Sequence, residues 1–284
     1  MKIFVTGSNG FLGQHLMRLL REVGYDPYPV TRVDYDLRHE LWVKHLFKYA
    51  GTPDVIFHLA AHVGGIKYNL SHAGELFYDN ASMATNLIQE AHANGVAKFI
   101  MTGTVCSYPA FPPVPTDESA LWTGYPEPSN GAYGLAKLAA LEMLQAYHKQ
   151  YDLNFSYPLL ANLYGPGDGG FFESERAHML PNLIKQFVND TTGEVTLFGD
   201  GKLTRDFLYV EDAARALAKL LNVDYYQPFN VSTGLEISKR TMVDLIVNLT
   251  GYQGRVIWDG KTDAGQLRRC YDNARLWELL QWKP

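Results

Sequence analysis

The sequence predicts an α/β protein built on a doubly wound parallel sheet, with a smaller α/β substrate-binding domain. Three observations support this prediction. Short apolar runs alternate with helical patterns, a glycine-rich turn follows the first strand, and the alternation fades after residue 164. We therefore expect residues 1–164 and about 205–228 to form one domain, and about 165–204 and 229–284 to form the second.

Composition narrows the class of protein. The chain has 284 residues, of which 46% are hydrophobic and 19% charged, as in soluble proteins with a substantial core. Its net charge of −5 argues against a general nucleic-acid binder, and it contains no apolar run long enough to span a membrane. Cys106 and Cys270 are the only cysteines, and the N-terminus has no signal-like apolar region, so we expect a cytoplasmic protein.

The first elements follow from local patterns. Ile3–Val5 is a short apolar run that predicts a buried first strand. The segment Gly10–Val23 carries leucines at helical spacing, which predicts a helix with one apolar face. A second strand is expected to end near Val30.

Later elements repeat the alternation. Apolar runs at 54–59 and 98–102 predict two further strands, counted as the fourth and fifth, with a helix through Ser82–Ala91 between them. The proline-rich stretch Pro109–Asn130 predicts a long functional loop, because loops of this length are uncommon in compact domains. A helix over Ala132–Gln150 follows.

The turn after the first strand has the pattern G-x-x-G-x-x-G. Glycines here let the backbone approach a pyrophosphate, and the helix N-terminus supplies N–H groups and a positive dipole end. An ordinary tight turn also uses glycines, but the position between a strand and a helix favours a dinucleotide site in a Rossmann-type domain. The loop residues expected to contact the cofactor are Gly7, Asn9, Gly10, Phe11, Leu12 and Gly13.

The exit of the second strand bears on which dinucleotide binds. An acidic residue there favours NAD, whereas an arginine accommodates the 2′-phosphate of NADP. Arg32 comes first, so the sequence favours NADP(H), and Asp36 is interpreted as a contact to the adenine edge. A charged, solvated loop would have the same residues.

Tyr133 and Lys137 are four residues apart and therefore share one face of a predicted helix. A nearby ammonium stabilises a phenolate, so we expect a lowered pKa for Tyr133 and proton exchange with a sugar oxygen. A surface pair on an amphipathic helix would show the same spacing. The glycine loop about 120 residues upstream favours the catalytic interpretation.

Together these motifs resemble the extended short-chain dehydrogenase/reductases. Five further segments narrow the resemblance: Val63–Ile66, Gly103–Pro109, Glu127–Asn130, Asn162–Pro166 and Ala177–Pro181. They resemble the GDP-L-fucose synthases, a family that converts GDP-4-keto-6-deoxy-D-mannose into GDP-L-fucose with NADPH, by epimerising C3 and C5 and then reducing C4.

The resemblance implies a role for each catalytic residue. Thr104 and Tyr133 would donate hydrogen bonds to the C4 oxygen and stabilise an enolate. Cys106 would be the epimerisation base and His178 the acid, and Tyr133, backed by Lys137, would protonate the C4 oxygen during reduction. Taken alone, Cys106 would more often be a small buried core residue, and His178 a surface or capping histidine.

The resemblance also implies binding contacts. The further cofactor contacts are Leu59, Ala60, Ala61, Lys137, Leu160, Asn162, Leu163 and His178. The substrate contacts are Val63, Gly64, Gly65, Asn162, Lys185, Phe198 and Arg205. Arg205 would clamp the diphosphate, with an ion pair to Asp206 or Asp212 as the alternative. Phe198 would stack on guanine, with a core position as the alternative. The histidines show no metal-ligand spacing, so no metal is predicted.

Some expectations stay open. Val105 stands where the family commonly has a serine, which leaves the sugar less defined than the reaction class. The alternatives are an epimerase or epimerase–reductase acting on a related GDP-4-keto sugar such as a heptose, an NDP-sugar 4-epimerase, and a dinucleotide-sensing scaffold. The family is commonly dimeric through a helix bundle that includes the Tyr133 helix, so a homodimer is expected. Relatives continue past a segment like Leu280–Pro284, which predicts a short or truncated second domain.

Overall fold

Strands and helices alternate along most of the chain. The computed structural model describes residues 1–167, 177–261 and 266–284. The strands are β1 (Ile3–Thr6), β2 (Tyr28–Val30), β3 (Val55–His58), β4 (Lys98–Met101), β5 (Gly103–Thr104), β6 (Phe155–Leu160), β7 (Asn162–Tyr164), β8 (Glu194–Leu197), β9 (Thr204–Arg205), β10 (Phe207–Tyr209), β11 (Pro228–Val231), β12 (Ile237–Ser238) and β13 (Arg255–Trp258). The helices are α1 (Phe11–Glu22), α2 (Glu40–Ala50), α3 (Ile66–Ser71), α4 (Ala73–Ala93), α5 (Gly131–Tyr151), α6 (Met179–Val188), α7 (Val210–Lys219), α8 (Lys239–Thr250) and α9 (Ala274–Leu280).

Seven strands form one sheet in the spatial order β11, β6, β4, β3, β1, β2, with β5 pairing beside β6. Every pairing in this sheet is parallel. The chain runs outward from β1 to β2 and then returns to β3 on the other side of β1, so the direction of winding reverses there. This is the doubly wound sheet that the sequence predicts. Ligands of such sheets bind beyond the carboxyl ends of the strands, at this reversal.

The predicted elements of the first half are confirmed to within a few residues, with one error in the strand count. The runs counted as the fourth and fifth strands are β3 and β4. The stretch 31–54, all of it described, forms α2 and no strand. The predicted loop 109–130 contains two short 3₁₀ turns, Glu118–Ala120 and Pro128–Asn130.

The described residues form two hydrophobic cores. The first surrounds the central sheet, and it includes Leu276 and Leu280 of α9 because this helix packs against β11. Both leucines, and β11 itself, lie in or at the edge of the range 229–284 that the sequence assigns to the second domain. The second core is built by Leu183, Phe187, Val195, Leu197, Val243 and Ile246. The domain division itself stays a prediction. None of the helices in the three described ranges is long and apolar enough to cross a bilayer.

The glycine loop brings β1 and α1 unusually close together. Gly7 has a φ of +66°, a left-handed conformation that favours glycine. A Cβ placed on Gly13 would lie 2.1 Å from the carbonyl oxygen of Gly7, which is well inside van der Waals contact. The first turn of α1 can therefore rest on the loop backbone only if residue 13 is glycine.

We expect Gly13→Ala to lower the free energy of unfolding by about 1–3 kcal/mol, because the added methyl group forces the loop and α1 apart. Gly74→Ala is the matched control, since nothing lies within 4 Å of a Cβ at that helical position. The control should be neutral or slightly stabilising. Urea denaturation of both variants checks this, and equal stability of the two alanine variants would contradict the steric argument.

Candidate active site

The predicted site residues come from loops that leave the same edge of the sheet. The glycine loop follows β1, the segment 59–65 follows β3, and Thr104 ends β5. Because the strands are parallel, their carboxyl ends share one edge, so these segments surround a single crevice.

The ends of β1 and β3 are tied by one hydroxyl group. Thr6 Oγ1 accepts hydrogen bonds from the backbone N–H groups of Leu59 (3.2 Å) and Ala60 (3.1 Å). Its own hydrogen is therefore directed to Nδ1 of His58, 2.8 Å away. Burial and the nearby charge of Lys137 lower the pKa of His58 to about 3, so the imidazole is neutral and accepts this bond. The Thr6 hydroxyl therefore holds the backbone of Leu59 and Ala60, two predicted cofactor contacts, in place.

A cavity of about 100 Å³ lies beside the end of β2. It is lined by Gly7, Arg32 and Asp36, as expected for an adenosine site, and also by Arg38 and Asp79. The Arg32 side chain is 71% exposed, and its Nε lies 3.9 Å from the Asp36 carboxylate. An exposed guanidinium at the cavity rim is free to turn toward a phosphate.

Arg38 is a residue of this cavity that sequence reasoning missed. Its guanidinium binds Asp36 through Nε (2.9 Å) and Nη2 (2.6 Å), and it contacts Asp79 at 3.3 Å. The hydrogen bond from Arg38 lowers the pKa of Asp36 to about 2. The Asp36 carboxylate, expected to meet the adenine edge, is therefore held by Arg38. The local pattern Asp-x-Arg was visible, but Asp79 lies 41 residues away and gave no signal.

The predicted catalytic residues come together where α5 meets the 3₁₀ turn Val105–Ser107. A Cβ on Gly134 would lie 2.5 Å from the carbonyl oxygen of Cys106, so the helix and the turn are in direct contact. The Thr104 hydroxyl accepts the Cys106 N–H at 3.1 Å and lies close enough to the Tyr133 hydroxyl to affect its pKa. Thr104, Cys106 and Tyr133, predicted separately, are thus neighbours.

Lys137 lies beneath this cluster and is almost fully buried. Its Nζ donates to the Thr102 carbonyl oxygen at 2.9 Å and lies 6.0 Å from the centre of the Tyr133 ring. Desolvation lowers the pKa of Lys137 to about 8. The ammonium is therefore close enough to Tyr133 to stabilise its phenolate. Because burial disfavours the charged form, the charge of Lys137 also depends on pH near neutrality.

The expected lowering of the Tyr133 pKa is wrong. Burial raises the pKa of Tyr133 above its ordinary value, the neighbouring Cys106 raises it further, and the hydrogen bond with Thr104 only partly offsets this. Desolvation of the phenolate outweighs the other contributions because the side chain is enclosed. Tyr133 is therefore a neutral phenol at pH 7, which suits a proton donor.

His178 stands at the N-cap of α6. Desolvation lowers its pKa below the ordinary histidine value, so the neutral imidazole is favoured at neutral pH. The chain before it, residues 168–176, lies outside the described ranges. The acid role and the cofactor contact of His178 stay predictions.

Arg205 lies in β9 and is buried. One of its nitrogens donates to the carbonyl oxygens of Thr204 (2.7 Å) and Gln266 (3.0 Å). The carboxylates considered as ion-pair partners bind elsewhere, Asp206 to the Thr233 hydroxyl and Asp212 to the Arg215 guanidinium. The diphosphate contact stays a prediction.

The other predicted substrate and cofactor contacts lie on α6, directly after β8, or in β6 and β7. Phe198 is 47% exposed, and the Lys239 ammonium lies 6.0 Å from its ring centre, so this ring is not part of a core. Lys185 is half-buried on α6. Leu160 ends β6, and Asn162 and Leu163 begin β7, with the Asn162 amide donating to the Asp206 carbonyl oxygen at 3.0 Å.

Within the described ranges no group of three or more His, Cys, Asp or Glu side chains is arranged to hold a metal ion.

A parallel sheet with a glycine loop, joined to a buried Tyr–Lys pair, defines a dinucleotide-binding enzyme that works on a carbonyl or hydroxyl group. The model of the NAD dependent epimerase/dehydratase family matches residues 3–232, and the chain belongs to this family.

Individual relatives match over nearly the whole chain. GDP-L-fucose synthase 1 of Arabidopsis thaliana is 35% identical, over 100% of this chain and 88% of the relative. GDP-L-fucose synthase of Escherichia coli K12 is 32% identical, over 98% and 90%. The crystal structure of a GDP-L-fucose synthetase from Naegleria fowleri bound to NADP superposes with a TM-score of 0.88 at 28% identity, covering 98% of this chain and 86% of that one.

The pKa of Lys137 predicts a pH effect on stability. The unfolded chain holds this proton up to a pKa near 10.5, whereas the folded protein releases it near pH 8. Between these values the unfolded state binds more protons, so the contribution of Lys137 to stability rises with pH, by at most about 3 kcal/mol. Relative to Lys137→Met, the wild type should therefore gain unfolding free energy between pH 8 and 10.5.

Urea denaturation at several pH values measures this difference. Lys149→Met, at the exposed end of the same helix, is the control and should not reproduce the change. A constant difference between wild type and Lys137→Met over this range would contradict the assigned burial of the ammonium.

Proposed function

We propose that the protein is an NADPH-dependent GDP-sugar epimerase–reductase that converts GDP-4-keto-6-deoxy-D-mannose into GDP-L-fucose. The observation that carries the proposal is the contact among Thr104, Cys106 and Tyr133 above the buried Lys137. The full-length similarity to GDP-L-fucose synthases at more than 30% identity supports the choice of substrate.

The epimerisation step depends on stabilising negative charge on an oxygen. Removing a proton from C3 or C5 leaves an enolate whose charge sits on the C4 oxygen. The Thr104 and Tyr133 hydroxyls lie near each other, so a carbonyl oxygen placed between them would receive two hydrogen bonds. In this proposal the Cys106 sulfur, two residues from Thr104 and near Tyr133, takes the proton from one face of the ring. His178, in its protonated form, donates a different proton to the opposite face of the same carbon and is left as the neutral imidazole.

The reduction step requires a proton at the C4 oxygen. NADPH, when bound, would supply a hydride to C4, and the neutral phenol of Tyr133 would supply the proton. The raised pKa of Tyr133 keeps this proton in place until the oxygen becomes an alkoxide, which is more basic than the phenolate. Lys137 then stabilises the phenolate that remains.

The residues present fit a bound dinucleotide. The space beside Gly7 and Gly13 leaves no room for a side chain, and a backbone this close to a helix N-terminus suits a pyrophosphate. The exposed Arg32 guanidinium at the rim of the adenosine cavity suits a 2′-phosphate. These features support NADP(H) as the cofactor.

Two further properties belong to the proposal. A homodimer would form through α4 and α5, which pack on each other, with the exposed Phe77 and Tyr78 of α4 available to a second copy. A cytoplasmic location suits an enzyme whose free Cys106 thiol must stay reduced and whose reductant is NADPH.

Substitution of Cys106 and Tyr133 should separate the two half-reactions. Cys106→Ser should lower epimerisation by a factor on the order of 10²–10⁴ and leave NADPH binding intact, because a hydroxyl is a far weaker base than a thiolate. Tyr133→Phe should lower C4 reduction by a similar factor while proton exchange at C3 and C5 persists in part. NMR in D₂O with GDP-4-keto-6-deoxy-D-mannose follows exchange, and NADPH absorbance follows reduction.

Unchanged exchange in Cys106→Ser would remove this residue from the mechanism. Unchanged NADPH oxidation in Tyr133→Phe would do the same for the phenol. An inactive wild type would argue for a different sugar nucleotide or for a sensor.

Arg32→Ala should weaken NADPH binding by about ten- to a hundredfold and leave NADH binding almost unchanged, since one charge-assisted hydrogen bond to the 2′-phosphate is worth about 1.5–3 kcal/mol. Arg21→Ala, an exposed arginine on α1, is the control. Cofactor fluorescence titrations give the dissociation constants. Equal losses for both cofactors would show that Arg32 does not read the 2′-phosphate.

A further inference from the structure

The loop Val63–Gly65, which follows β3, is held by two adjacent side chains of α3. The Gly64 N–H donates to the Asn69 side-chain oxygen at 3.1 Å. A Cβ on Gly64 would lie 2.6 Å from the Tyr68 ring, so this ring rests directly on the loop backbone. The loop expected to contact the sugar is therefore fixed from α3, not by the strand alone.

Asn69 passes this restraint on to a second asparagine. Its side-chain nitrogen donates to the Asn130 side-chain oxygen at 2.8 Å, and the two residues are only 3% and 7% exposed. Because the Asn69 oxygen accepts a backbone N–H, its nitrogen must point toward Asn130. The Asn130 nitrogen then points toward the Glu127 carboxylate, 3.3 Å away. The hydrogen-bond partners therefore fix the positions of the amide oxygen and nitrogen in both asparagines.

Asn130 stands directly before α5, and Tyr133 lies in the first turn of that helix. Glu127, at the other side of Asn130, also lies 3.7 Å from the Arg269 guanidinium. A continuous set of hydrogen bonds therefore runs from Gly64 to the start of the helix that carries the phenol. We name the buried Asn69–Asn130 pair the asparagine latch.

We propose that the asparagine latch positions the sugar loop against Tyr133, so that Asn69 and Asn130 act as positioning residues for the reaction. This inference rests on the proposed function, because it assumes that the loop 63–65 holds the sugar. A ring presented to a base and to a proton donor must be held to within about 1 Å, and a misplacement of that size can cost up to about a hundredfold in rate. The latch fixes the distance between the two segments that would hold the ring.

A purely structural role predicts a different pattern. A buried amide that loses its partner destabilises the fold, but it need not alter turnover of the protein that remains folded. If the two asparagines act as one unit, removing either should have nearly the effect of removing both, because the bond is broken in each case. Turnover and coupling between the variants therefore separate the two roles.

The kinetic test uses Asn69→Ala, Asn130→Ala and the double variant. We expect each single variant to lower kcat with GDP-4-keto-6-deoxy-D-mannose and saturating NADPH by about tenfold, and the double variant to lose little more. NADPH affinity should stay within about twofold of wild type. Asn94→Ala, at the C-terminal end of α4 and therefore at the opposite edge of the sheet, should keep wild-type kcat.

Asn69→Asp keeps the shape and the acceptor for Gly64 but loses the donor to Asn130, so it tests the latch with little change in volume. Its kcat should fall in the same way. A wild-type kcat in this folded variant, or multiplicative losses in the double alanine variant, would overturn the proposal.

Hydrogen exchange tests the latch without any substrate. The Gly64 amide should exchange about tenfold faster in Asn130→Ala than in wild type, although Asn130 does not touch Gly64 directly. Unchanged exchange at Gly64 would overturn the proposal. If wild type fails to turn over the keto sugar, the proposed function falls, and the exchange measurement still decides whether the latch restrains the loop.

Discussion

The contact of α5 with the turn Val105–Ser107 decides the geometry of the candidate active site. Gly134 lets the helix backbone approach the Cys106 carbonyl, and the Ser107 hydroxyl secures the approach by donating to the Gly134 carbonyl oxygen at 3.1 Å. The Tyr157 hydroxyl holds the helix one turn later, at the Lys137 carbonyl oxygen. These backbone contacts fix the distance between α5 and the turn. Thr104, Cys106 and Tyr133 are neighbours for this reason.

Burial sets the electrostatics of the site. Tyr133, Lys137 and His58 are all buried, and desolvation shifts their three pKa values toward the neutral forms. The Lys137 charge also disfavours the His58 cation. A buried ammonium remains beneath a neutral phenol and a neutral imidazole. This arrangement holds a proton at Tyr133 and gives the phenolate a partner once the proton leaves.

The sequence was sufficient for features that depend on neighbouring residues. The glycine loop, the first strands and the long helix α5 follow from local spacing, and the Tyr–Lys pair follows from helical periodicity. Two features depend on burial or on distant partners and could not be read in this way. The direction of the Tyr133 pKa shift required knowing how tightly the phenol is enclosed. The role of Arg38 required Asp79, which only the packed α4 brings near.

The asparagine pair shows the same limit more clearly. Asn69 and Asn130 are 61 residues apart, and each lies in a short element where an asparagine is ordinary. Their partnership arises because α3 packs against the 3₁₀ turn Pro128–Asn130. The motif that contains Asn130 enters the sequence analysis only through a family resemblance, and nothing in it indicates a bond to Asn69 of α3.

The second core contains six buried residues, and none of them belongs to the core around the central sheet. Substitutions at positions such as Leu183 or Val243 therefore disturb packing that the core around the central sheet does not share. Selection can then change the residues of the second core while the central sheet keeps its fold. Descendants of one ancestral scaffold can in this way diverge around one core without a change in the other.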